Sequence, residues 1–162
     1  MQIIIAMFGL VLLLFSKACM ATNLMGSIVP PFPHGWTEES GACISKSLGV
    51  DKMCDYSIGV LRSLNGRVLY IGKSTPQIET NEVHWLVTDQ MPFPQTPRGQ
   101  EVVFSSCELN GELNETIIAV VKVTDTEWYT TVRQAYRANL NTGRFEKIST
   151  KGIRCLNEGW GI

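Results

Sequence analysis

The chain has 162 residues, with 14 Lys and Arg against 15 Asp and Glu, two His and five Cys. A balanced charge with no basic block excludes the electrostatic footprint of a nucleic-acid-binding protein. With residues 1–21 set aside, Lys17 goes with them and the balance becomes 13 against 15, a net charge of −2. The remaining stretch is the size of one ordinary domain and can bury a sizeable core.

Residues Ile3–Phe15 read IIIAMFGLVLLLF, an uncharged run followed by the small residues of Ser16-Lys17-Ala18-Cys19-Met20-Ala21. The run is shorter than the roughly 20 apolar residues of a membrane span. It fits the apolar core of a cleavable signal peptide. We therefore expect residues 1–21 to be removed, leaving one exported domain over residues 22–162, secreted or periplasmic. A cut after Ala18 would instead expose Cys19 for lipid anchoring, but Ser16 and Lys17 fit that processing poorly. A cut after Ala21 leaves Cys43, Cys54, Cys107 and Cys155. An even number in an exported chain points to two disulfides. Three pairings are open; Cys43–Cys54 with Cys107–Cys155 is the favoured one.

The mature chain begins with an irregular stretch to Gly41. Its Pro30-Pro31-Phe32-Pro33 cannot be helical, because proline lacks an amide donor and fixes its backbone angle. Ser40–Lys52 is read as one short helical turn around Ile44, Leu48 and Val50. Tyr56–Leu64 and Arg67–Lys73 form the clearest element, a hairpin around Asn65-Gly66. Val83–Thr88 is a third strand, and the proline-rich Met91–Gly99 is a loop. Glu101–Leu109 and Glu115–Val123 are strands separated by a loop that starts at Asn110-Gly111. The apolar run Ile117–Val121 marks the second of these as central. Residues 125–138 admit a helix. However, Trp128, Thr130, Val132, Gln134, Tyr136, Ala138 and Leu140 share one face at period two, which favours strand. A turn at Asn141-Thr142-Gly143 leads into a strand over Arg144–Ser149, and the tail carries Cys155. The expected fold is mainly β: six to eight strands in a small antiparallel sheet curled into a barrel or sandwich, with at most one or two short helices.

Residues able to carry chemistry are few. His34 lies in a proline loop without a nucleophile motif, and His84 sits on a strand. Glu82, His84 and Asp89 are too few to define a metal centre. The acids are scattered beside turns, where a glycosidase would need a facing pair. No cofactor motif is present, so none is expected. Asn114-Glu115-Thr116 matches an N-glycosylation sequon. What stands out is apolar material in loops: Phe32, Trp36, Met91, Phe93 and Trp160. Aromatic side chains in rigid, proline-bounded loops suit a binding rim. The leading expectation is a non-catalytic exported binding protein, an inhibitor or immunity-type factor acting on another exported protein. The alternatives are a cell-envelope hydrolase using His34 or His84, a carrier of a small apolar ligand, or a structural envelope component. In size, cysteine number and its late cysteine, the chain resembles in type small bacterial envelope proteins such as lysozyme inhibitors and toxin-immunity proteins. No motif ties it to one such family.

Overall fold

The computed structural model describes residues 23–45, 54–75 and 83–161. The apolar N-terminal run, its cleavage sites, Leu48, Val50 and Glu82 lie outside them. The described residues are mainly β with no helix, and every strand pairing is antiparallel.

Five strands form the first sheet: β1 (Ile28–Val29), β2 (Thr37–Ile44), β3 (Tyr56–Ser63), β4 (Gly66–Thr75) and β5 (His84–Pro92). Their spatial order is β1-β5-β4-β3-β2. The second sheet holds β6 (Gln100–Phe104), β9 (Ile117–Lys122), β11 (Val132–Asn139) and β12 (Arg144–Ile148), in the order β12-β11-β9-β6. The third holds β7 (Cys107–Leu109), β8 (Glu112–Leu113), β10 (Trp128–Tyr129) and β13 (Ile153–Leu156), in the order β10-β13-β7-β8.

The alternation of side chains along each strand sorts the apolar residues into layers. Ile58 and Val60 of β3 and Leu69 and Ile71 of β4 point inward. They meet Ile118 of β9 and Ala138 of β11, so the main core lies between the first two sheets. The other face of β9 presents Ile117, Ala119 and Val121 to Tyr129, Ile153, Cys107 and Cys155 of the third sheet. Strand β9 is thus buried on both faces, which is why its sequence is a continuous apolar run. On the outer face of the first sheet, Leu61, Val68, Tyr70 and Val87 are covered by Leu24 and Val29 of the N-terminal segment. That segment is fastened by Gly26 N donating to Val87 O and Leu24 N donating to Gln90 Oε1.

The first two sheets curl into a half barrel that is closed on one side. There β12 lies along β5, with Phe145 N donating to Asp89 Oδ2 at 2.8 Å. Tyr56 OH of β3 donates to Leu140 O, just past the end of β11, at 2.9 Å and so ties the two sheets together. The disulfides Cys43–Cys54 and Cys107–Cys155 are formed. Cys107 and Cys155 face each other as direct partners on β7 and β13.

Several local expectations are corrected. The stretch ending at Ile44 continues as strand β2, because pairing with β3 overrides its weak helical signal. The first hairpin reverses at Leu64-Asn65, one residue early, with Ser63 Oγ accepting from Asn65 N and Gly66 at φ 132°. Strand β5 runs on through Met91 and Pro92. Phe93 N donates to Arg67 O, so Pro92 occupies the next, non-hydrogen-bonded position opposite Val68. Its missing N–H therefore faces away from β4, where a proline is tolerated. The expected strand Glu101–Leu109 is two strands in two sheets, broken at Ser105, which takes a left-handed φ of 67°. The ambiguous stretch after Asp125 is strand, but a bulge between Val132 and Gln134 breaks its period-two face. An extra residue there puts Val132 and Ala135 on the same side.

Candidate functional site

Opposite the closed side the half barrel is open. A cleft of about 590 Å3 runs between β2 and β6 there. Ser40 and Gly41 line it from β2, and Glu101 to Phe104, followed by Ser105, line it from β6. Both are edge strands. Leu156 to Gly159 of the C-terminal tail close one end.

The antiparallel ladder fixes which backbone groups point into the opening. Val123 N donates to Gly99 O, so Gly99 and Val123 form a hydrogen-bonded pair, in register with Glu101↔Val121 and Val103↔Ala119. The intervening residues Val102 and Phe104 therefore turn their N–H and C=O away from β9. The Phe104 carbonyl is met by Ser105 Oγ, which donates to it at 2.6 Å. No described strand pairs with this side of β6.

The cleft is acidic. Glu101 and Glu158 line it, and among the described residues no Lys or Arg does. Tyr129, 4% exposed, forms part of its wall and donates its hydroxyl proton to Glu101. Burial, reinforced by that bond and by the Glu101 charge, pushes the Tyr129 phenol up to about 12. Next to Ser105, Ser106 Oγ is buried with no hydrogen-bond partner among the described residues.

A second hollow, of about 420 Å3, flanks the opposite side of β2 and shares Ser40 and Gly41 with the cleft. Beneath it Tyr70 is wholly buried and donates to Glu38 Oε1 at 3.0 Å. Burial, then the Glu38 charge, raises its phenol well above the usual range. The edge β2 is therefore open on both faces.

The loop aromatics do not converge on one rim. Phe32 and Trp36 pack on the outer face of the first sheet, against the cluster of Leu61 and Tyr70. Met91 and Phe93 pack on its inner face, against the main core, and Arg67 stacks over the Phe93 ring at 3.8 Å. Trp160 stands apart: it is 50% exposed, and its backbone N–H donates to the carbonyl of the cleft residue Asn157. Neither His34 nor His84 lines the cleft or the second hollow. Asp89, one of the acids considered with His84, accepts the Phe145 amide. Among the described residues no group of three or more His, Cys, Asp or Glu is placed to hold a metal ion. Asn114 lies at the turn into β9, where Thr116 N and Oγ1 both donate to its Oδ1.

Reasoning from sequence missed the cleft because its walls come from residues 40–41, 101–105 and 156–159, which no short motif links. Its only sequence mark is Ser105-Ser106, two small polar residues inside an otherwise strand-like run. Among the described residues no helix is long and apolar enough to cross a membrane. The two disulfides fit an oxidising compartment. Comparison of the chain with family models, with curated proteins and with solved structures finds no match.

Proposed function

We propose that the chain is a non-catalytic exported binding protein acting on another exported protein as an inhibitor or immunity-type factor, in the periplasm or the extracellular space. The observation that carries this reading is the open side of the half barrel, where two strand edges, unpaired among the described residues, face one cleft; the half-exposed Trp160 follows directly on the cleft-lining tail. Export rests on the apolar run Ile3–Phe15 with small residues after it, and on the disulfides. A tryptophan beside a concave, partly apolar surface is the side chain most often found to anchor a protein interface. Phe32, Trp36, Met91 and Phe93 each keep part of their surface exposed and are secondary candidates.

The test uses a partner isolated on the immobilised, disulfide-bonded protein from the exported fraction of its native host. Trp160→Ala is expected to weaken that complex by about 2 kcal/mol, roughly thirtyfold in Kd, with smaller effects from Trp36→Ala and Phe93→Ala. Titration calorimetry on folded variants reads this out. Equal affinity for all three variants and the parent would remove the aromatics from the interface.

A further inference from the structure

Sheet edges are normally protected against pairing with other chains, by shortness, charge, bulges or cover. The edges here can be compared one by one. Strands β1, β8 and β10 have two residues each. Strand β2 carries Glu38 and Glu39 and is bulged between Glu38 and Ser40. Strand β12 carries Arg144, Glu146 and Lys147 and lies along β5. Strand β6 is the least protected of them. It is five residues long, regular in register and partly exposed throughout, and Glu101 is its only charge. It faces the cleft with the Val102 N–H and C=O turned outward.

Resting on the binding-protein reading above, we infer that β6 is the docking edge, and that its occupant is an extended segment of the partner that alternates basic and apolar residues and adds to the second sheet as a strand. The backbone of Val102 and the Phe104 N–H supply the pairing groups of such an addition. Charge complementarity selects a basic segment, because Glu101 and Glu158 line the cleft and no described Lys or Arg does. On β2, Glu39 is paired with Arg67 at 3.1 Å and Glu38 accepts from Tyr70 in the second hollow, so the charge of the cleft rests on Glu101 and Glu158. Alternation follows from strand geometry: successive side chains of the added strand point toward the face of β6 that carries Val102 and Phe104, and then toward the face that carries Glu101.

The probes are three ten-residue peptides carrying a fluorophore: alternating Lys-Val, alternating Glu-Val, and the Lys-Val sequence N-methylated at every second amide. Anisotropy is measured on the exported, disulfide-bonded chain. The Lys-Val peptide is expected to bind at least tenfold more tightly than either of the others. It is also expected to slow hydrogen exchange at the Val102 amide. Val102→Pro removes an outward N–H and leaves the bonds to β9 intact, so it is expected to weaken Lys-Val binding at least tenfold. Glu158→Lys, at an exposed tail position, is expected to weaken it at least threefold, which keeps the test decisive if the proline variant fails to fold. Absence of Lys-Val binding, equal binding of Glu-Val, or unchanged binding by folded Val102→Pro and Glu158→Lys overturns the inference. So does a solution mass showing two copies of the chain joined through this edge. A native partner that binds Val102→Pro as tightly as the parent leaves the binding-protein reading standing and sinks only this inference.

Discussion

Tyr70 and Gly59 show how closely single residues are specified on the outer face of the first sheet. The Tyr70 ring lies against the backbone of Gly59 on the neighbouring strand, in the space that a Cβ there would fill. Gly59→Ala must therefore displace a wholly buried ring, at a cost of about 1–3 kcal/mol. Urea denaturation checks this, and a variant as stable as the parent would refute the packing described. The tyrosines also make stability depend on pH at the alkaline end. In the unfolded chain a tyrosine releases its proton near 10, whereas folded Tyr129 holds its proton to about 12. Between those values the folded state binds more protons, so its stability is full below pH 10 and is lost as pH rises toward 12. Tyr70, shifted in the same direction, adds to that loss. Tyr129→Phe is expected to flatten the decline in melting temperature between pH 10 and 12. A parallel decline in parent and variant would contradict the assignment.

At the scale of elements, chain pattern predicts strands well wherever one residue run meets one environment. The run Ile117–Val121 reads as a central strand and is one, because burial on both faces demands apolar residues at every position. Asn110-Gly111 reads as a turn and forms one, both residues taking positive φ (56° and 89°). The same dipeptide at Asn65-Gly66 misplaces the reversal by one residue, because Ser63 Oγ captures the Asn65 amide and starts the turn earlier. Strand β2 and the sheet change at Ser105 were not legible. Both depend on pairings with residues distant in sequence, which local propensity does not encode. The favoured cysteine pairing is the one formed, and its two bridges constrain loops of different length. They separate residues 11 apart (Cys43–Cys54) and 48 apart (Cys107–Cys155) in sequence. Chain-entropy reasoning gives about 3 kcal/mol for the first and about 4 kcal/mol for the second. Replacing Cys107 and Cys155 together by Ala is therefore expected to cost about 1 kcal/mol more than replacing Cys43 and Cys54. Chemical denaturation of the two double variants reads this directly, and the reverse order would count against the loop-length account.

At the scale of the molecule, the organising feature is asymmetry. One side of the half barrel is sealed, where β12 lies along β5 and Phe145 N donates to Asp89. On the other side no described strand pairs with the outer edges of β2 and β6, which face an acidic cleft. The mainly β, two-disulfide domain could be foreseen from alternation, turn residues and cysteine number. The open side could not, because it is a property of how the sheets close. Of the loop residues read in the sequence as a binding rim, Phe32 and Trp36 pack on one face of the first sheet, and Met91 and Phe93 on the other. Trp160 alone stays half-exposed, next in sequence to the cleft-lining tail. The most direct test of the central claim, that the open side binds another exported protein, is site-specific photocrosslinking in the native host. A benzophenone side chain would replace exposed Ser40 on the cleft rim or, as control, fully exposed Leu64 at the tip of the first hairpin. The account predicts one discrete protein adduct from position 40 and none from position 64. No adduct from position 40, or the same adducts from both positions, would contradict it.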